Sequence, residues 1–184
     1  MAKHTLITWV EDKPGVLNRA ASLFRRRQFN IDSIAVGHTE VEGISRMTIV
    51  VDGTTVSVEQ VRKQLAKLIN VLKVLDITEE DMVARELALI KVKATPETRS
   101  EIMQVVDIFR AKIVDVAADC VVVEVTGDEN KLESLLRLLS DFGIREMSRT
   151  GRIAMTRGVA GDSHDTKKIA TRSARHKKSE ITNW

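Results

Sequence analysis

Twice in succession this 184-residue chain runs through the same order of apolar patterns, and that repetition constrains its fold more than any other feature. Residues alternating between apolar and polar place side chains on two faces of a strand, whereas apolar residues three and four apart line one stripe of a helix. In the first pass, residues 5–10 (TLITWV) alternate. A helix follows with Leu17, Ala20, Ala21 and Phe24 along its stripe, ending in Arg25-Arg26-Arg27, where cations suit the negative helix terminus. Residues 30–36 and 44–51 read as strands joined by a turn at Glu42-Gly43. Ser57 and Gln60 have capping-box spacing at the start of a second helix that buries Val58, Val61, Leu65 and Leu68, and residues 71–77 close the set as a strand.

The polar stretch Thr78-Glu79-Glu80-Asp81 interrupts the pattern as a short linker, and the order then repeats. Residues 86–93 alternate. Thr95-Pro96 predicts a capped helix start, followed by a stripe of Ile102, Val105, Val106 and Phe109. Residues 113–116 and 120–125 are the inner strands, and Leu132, Leu135, Leu136, Leu139 and Phe142 line a helix closed by Gly143. Residues 144–155 supply the last strand. Both halves fit βαββαβ, so the predicted class is α+β with two tandem ferredoxin-like domains, 4–78 and 84–158. In such a unit the helices cover one sheet face and leave the other open for pairing or binding.

The residues available for the core are aliphatic, since aromatics make up only 3% of the chain and tyrosine is absent. Cys120 is the one cysteine, which excludes an internal disulfide and fits a reducing compartment. No apolar run is long enough to span a bilayer, so a cytoplasmic location with no membrane partner is the expectation. Charge is unevenly placed. Arg157 and six further cations against Asp162, Asp165 and Glu180 make the terminal stretch basic, whereas the body ahead of it is close to neutral. Residues 159–184 are therefore expected to form a disordered basic tail.

Between the first strand and first helix lies Asp12-Lys13-Pro14-Gly15-Val16-Leu17. Pro14 holds φ near −65°, and Gly15, without a Cβ, lets the backbone approach a bound molecule closely. The first amides of the helix, Gly15 to Leu17, have no partners inside it and face the positive end of the helix dipole. Such a terminus accepts a carboxylate, and a carboxylate site beside an acidic side chain suits a free amino acid. An ordinary strand-to-helix turn has the same spacing.

The chain lacks the constellations of an enzyme. Its four histidines, His4, His38, His164 and His176, are far apart, and none has zinc spacing with Cys120. There is no phosphate loop, dinucleotide-binding fingerprint or nucleophile elbow. Glu11 and Asp12 are adjacent, so on a strand they point to opposite faces. Catalytic and metal residues are therefore expected to be none. The same topology serves RNA-recognition modules, which stack bases on aromatics. Trp9 is the one aromatic on the candidate strands, and 46–51 (RMTIVV) has none, so the sheet is not expected to bind nucleic acid.

A βαββαβ unit carrying the Asp12–Leu17 turn resembles the ACT domain, a module that usually senses amino acids. Residues 29–37 (FNIDSIAVG), 45–51 (SRMTIVV) and 85–92 (RELALIKV) narrow the resemblance to the small, regulatory subunit of acetolactate synthase. It extends to about Gly158. The resemblance implies a subunit without catalytic residues that activates a catalytic large subunit and confers feedback inhibition, most often by valine. The large subunit of that family uses thiamine diphosphate, magnesium and FAD, and no cofactor is implied for this chain. It also implies a homodimer through the amino-terminal ACT domains, with the amino acid at their interface.

Carried over residue by residue, the resemblance places the ligand carboxylate at the amides of Gly15, Val16 and Leu17. Asn30 would hydrogen-bond its polar groups, and Val16, Leu17 and Ile31 would enclose a branched side chain. Position 12 is often asparagine in the family. Asp12 can accept from an ammonium group but cannot donate to a carboxylate. The open sheet face and the Ser45–Val51 strand are candidate docking surfaces for the catalytic subunit. The second domain has Ala94-Thr95-Pro96-Glu97 in place of the Pro-Gly turn and is assigned no such site. The alternative reading is a free-standing amino-acid-sensing ACT regulator acting on gene expression through its basic tail.

Overall fold

The structure, a computed structural model, describes residues 2–158 together with Ile169 and Thr171. The expected disorder of 159–184 otherwise lies outside the described residues; Ile169 itself is buried. The first half comprises β1 (Ala2–Glu11), α1 (Val16–Arg26), β2 (Ile31–His38), β3 (Ile44–Gly53), α2 (Thr55–Leu65) and β4 (Val71–Asp76). The second comprises β5 (Met82–Lys93), α3 (Arg99–Ile108), β6 (Lys112–Val116), β7 (Cys120–Gly127), α4 (Glu129–Ser140), β8 (Ile144–Arg149) and β9 (Ile153–Thr156). The sheet orders are β2-β3-β1-β4 and β6-β7-β5-β8, the same path twice, with β9 added beside β5. The strand pairs along both paths are antiparallel. This is the ferredoxin-like topology that the two periodicity passes predicted. The chain divides into two units, one reaching Val83 and resuming at Ala154, the other Ala84–Ile153.

In the first unit, Leu6 and Val10 of β1 and Met47, Ile49 and Val51 of β3 pack against Ala20, Leu23 and Phe24 of α1 and Val58, Val61 and Leu65 of α2. Phe24, at 1% exposure, is the one aromatic fully buried in this layer, and burial of a side chain of this size contributes about 2–3 kcal/mol. The α1 stripe is rotated from its expected position: Val16, Ala20, Leu23 and Phe24 face inward, whereas Leu17 and Ala21 are exposed. Both sets satisfy helical spacing, and the docked orientation buries the bulkier pair Val16 and Leu23.

Helix ends differ from expectation in instructive ways. The α2 capping box is Thr54 with Ser57, one turn earlier than Ser57 with Gln60; the Ser57 N–H donates to Thr54 Oγ1 at 3.3 Å and the Thr54 N–H to Ser57 Oγ at 3.0 Å. Helix α3 begins at Arg99, and Thr95-Pro96 forms the turn ahead of it, where Thr95 N–H donates to Thr98 Oγ1. A last strand over 144–155 is broken between β8 and β9 at Thr150-Gly151-Arg152. The first helix of each unit closes alike. Gln28 (φ 55°) and Arg110 (φ 48°) are left-handed, with Phe29 N–H bonded to Phe24 O at 3.1 Å and Ala111 N–H to Val106 O at 2.9 Å. That six-to-one bond is the Schellman ending, built here without glycine.

The face of the first sheet opposite its helices is not open. Ile7, Trp9, Thr48 and Val50 are at most 4% exposed. Apolar residues occur at both parities of 5–10 and 46–51, so these inner strands bury both faces rather than one. This removes the Ser45–Val51 strand as a docking surface: β3 is interior to the sheet, and Ser45 is itself buried. The Trp9 ring lies between two cations, Arg46 at 5.0 Å and Lys73 at 5.6 Å from its centroid. Arg46 also donates to the Ala154 carbonyl at 2.6 Å, and burial pulls its pKa below the ordinary guanidinium value against the opposing pull of Glu40. In the second unit Leu89 remains 40% exposed on the face away from the helices, where Lys91 pairs with Glu146 at 2.8 Å.

Candidate functional site

The Asp12–Leu17 turn is shaped by its neighbours on both sides. Asp12 N–H donates to Gly43 O and Lys13 N–H to Glu11 O, each at 2.9 Å, which brings the chain sharply off the end of β1. Gly15 is the N-cap of α1 with φ 82°, a conformation that costs an L residue about 1–2 kcal/mol. A Cβ there would meet nothing within 4 Å, so the backbone angle, rather than crowding, requires glycine. Of the amides expected to be free, Val16 N–H reaches back to Lys13 O at a long 3.4 Å; among the described residues those of Gly15, Leu17 and Asn18 meet no acceptor. No acidic residue occupies the first turn of α1, so the positive helix end faces outward without a compensating charge from its own first turn.

A buried polar cluster that sequence reasoning missed supports this turn. Glu11 is 4% and Asn70 6% exposed. Asn70 Nδ2 donates to Glu11 Oε2 at 2.9 Å, the Arg19 guanidinium donates to Asn70 Oδ1, and the Lys13 ammonium lies 3.0 Å from Glu11 Oε2. The only local signal was a glutamate ending an apolar strand; its amide partner is remote in sequence and carries no motif.

The six predicted ligand residues separate into two groups. Asp12, Gly15, Val16 and Leu17 lie past the end of β1, where Val10 pairs with Ser45 and Ser45 with His38. The Asp12 carboxylate accordingly sits 3.4 Å from His38 Nδ1. Asn30 and Ile31 lie at the other end of the sheet, where Ile31 pairs with Val51 and Val51 with His4. Six residue steps along β3, from Ser45 to Val51, separate the two ends, about 20 Å at the usual rise. Within one chain the structure does not bring the groups together. Val16 is committed to the core, leaving only its backbone for a ligand, while Leu17 stands 48% exposed beside the turn. Asn30 is exposed, its Nδ2 donating weakly to Asp52 Oδ2 at 3.4 Å, and Ile31 is half-buried against the core.

No three His, Cys, Asp or Glu side chains cluster to hold a metal among the described residues. Cys120 is buried on β7. No helix is long and apolar enough to cross a membrane.

Comparison with known proteins decides which family this arrangement belongs to. Residues 6–73 match the model described as the AHAS small subunit-like ACT domain, and residues 85–158 match the small subunit of acetolactate synthase. The acetolactate synthase small subunit of Mycolicibacterium smegmatis is 53% identical over 158 residues, 86% of this chain and 93% of that protein. That of Bacillus subtilis is 49% identical over 170 residues, 91% of this chain and 98% of that one.

The chain belongs to the acetolactate synthase small-subunit family.

A crystal structure of the family member from Thermotoga maritima superposes with a TM-score of 0.79 at 42% identity, covering 87% of this chain and all of the other. Membership places the chain on the regulatory side of a two-subunit enzyme, with a catalytic large subunit as its counterpart.

Proposed function

We propose that this small subunit activates the catalytic large subunit of acetolactate synthase and makes it sensitive to feedback inhibition by valine or a related branched-chain amino acid. The reading is of a cytoplasmic protein of branched-chain amino-acid biosynthesis. Residues 4–78 bind the effector and dimerise, and 84–158 form the second regulatory domain. Thiamine diphosphate, magnesium and FAD belong to the large subunit.

The observation that carries the effector assignment is the separation of the two residue groups along an edge strand. Among the described residues β2 is the terminal strand of the sheet, the position at which a further strand can add. A second copy adding its β2 antiparallel about a two-fold axis sets the His38 end of one strand beside the Ile31 end of the other. The turn of one protomer then meets Asn30 and Ile31 of its partner, twice. In each site the outward amides of α1 receive the carboxylate, Asp12 accepts from the ammonium group, and Leu17 and Ile31 flank the side chain. An effector held this way binds the dimer and not the separate chains. It regulates the enzyme to the extent that the large subunit binds the occupied and empty dimers unequally.

The test is reconstitution of the full chain with a cognate large subunit, with turnover measured with and without valine, leucine and isoleucine. Stimulation by the chain and inhibition by at least one of the three are expected. Absence of both overturns the reading.

A further inference from the structure

We infer that Asn70 is the positioning residue of the effector turn, an inference that rests on reading that turn as the amino-acid site. Asn70 immediately precedes β4 and touches the chain on both sides of the turn without belonging to it. Before the turn, it receives Glu11 N–H on its backbone carbonyl at 2.9 Å and donates from Nδ2 to Glu11 Oε2 at 2.9 Å. After the turn, its Oδ1 accepts from the Arg19 guanidinium. Arg19 is also the residue whose N–H closes the first bond of α1, to Gly15 O at 3.0 Å. One side chain therefore sets the distance between the exit of β1 and the start of α1, and with it the direction of the outward amides.

The chemistry calls for an amide of this length. A carboxamide donates to a carboxylate through nitrogen while accepting from a guanidinium through oxygen, and carries no charge of its own. An ionised carboxylate at this position accepts on both sides and repels Glu11, which is 4% exposed and cannot turn to water. An apolar side chain leaves Glu11 with one donor fewer in a buried site, where an unmade bond costs most. The sheet at this point offers β4 on one side and β3 on the other, so the clamp ties the effector turn to the edge strand opposite β2. The charged groups facing it are Glu11, Lys13 and Arg19, with the Asp12–His38 pair beside them.

Asn70→Asp and Asn70→Leu full-length chains, each reconstituted with the large subunit, test the assignment. In Asn70→Asp at about pH 8.5 the two facing carboxylates are both charged, and the half-inhibiting valine concentration is expected to rise about tenfold over wild type. Asn70→Leu, which offers Glu11 no donor and Arg19 no acceptor, is expected to be impaired to a similar degree. Far-ultraviolet circular dichroism of each variant like that of wild type reports an intact fold. The Asp12–His38 pair is common to all the chains and cancels in the ratio. A valine response like wild type in both variants overturns the assignment. Backbone amide exchange over residues 11–19 of the free chain reads the same clamp without effector. Faster exchange there in both variants than in wild type supports it, and an equal rate overturns it. Wild-type enzyme indifferent to all three amino acids defeats the effector reading separately, and the exchange result still decides the role of Asn70.

Discussion

Glu11 and Ile31 pair with opposite ends of one strand, Glu11 with Ile44 and Ile31 with Val51. A ligand that needs both the turn after Glu11 and the residues beside Ile31 must therefore take them from two chains. Chains carrying Gly15→Asp and chains carrying Asn30→Ala are each expected to form dimers insensitive to valine. Mixed and re-annealed in equal amounts, they form hybrids in which one site carries both defects and the other neither. About a quarter of all sites are then intact, and partial valine inhibition returns. No recovery on mixing would place both groups in a site within one chain. Gly15→Asn is the control for backbone strain, because asparagine tolerates the left-handed region better than other residues and adds no charge.

Two helix ends are strained by the residue they carry. Gln28 and Arg110 adopt positive φ without being glycine. Gln28→Gly and Arg110→Gly are each expected to stabilise the chain by about 0.5–1 kcal/mol, with the gains additive because the positions lie in separate units. Urea unfolding checks this, read as a higher midpoint with an unchanged slope.

The cations on Trp9 are expected to be worth measuring one at a time. Arg46→Ala removes both the stack at 5.0 Å and the 2.6 Å bond to Ala154 and should cost about 1–3 kcal/mol. Arg46→Lys should recover part of this, since an ammonium retains the charge but not the planar contact. In a Trp184→Phe background Trp9 is the sole tryptophan, and a red shift of its emission in Arg46→Ala would report the loosened face.

Acid should weaken the second unit through two exposed ion pairs. Lys91 holds the Glu146 carboxyl below the usual range, and Arg145 does the same for Asp119. A carboxylate whose pKa is depressed by folding contributes stability that is present above its unfolded pKa, about 4. That contribution is lost as pH falls through the lower folded value. Glu146→Gln should therefore lower the melting temperature slightly at neutral pH, with the difference shrinking as pH falls below about 4. A difference that persists in acid would show that the charge pair is not its source.

The order of elements and the division into two alike domains were legible because apolar spacing is a local property. The turn at Gly15 was legible for the same reason: a Pro-Gly pair ahead of an apolar helix stripe leaves few alternatives, and the observed φ of 82° is the one glycine supplies. Spacing did not distinguish Val16 and Leu23 from Leu17 and Ala21 on α1, because both sets lie three and four residues apart and only docking on the sheet chose between them. Nor did it reveal the capping by Thr54, whose box competes with that of Ser57 a turn later.

The order of strands and helices, their repetition and the glycine turn ahead of α1 could thus be read from the chain alone. Only the tertiary structure decided that Asn30 and Asp12 stand at opposite ends of one sheet, that the second face of that sheet is buried, and that Asn70 reaches Glu11 and Arg19. The physical reason is range. Periodicity and turn chemistry act over a few residues, whereas strand register and a buried hydrogen bond join residues that the chain brings together only once it has folded.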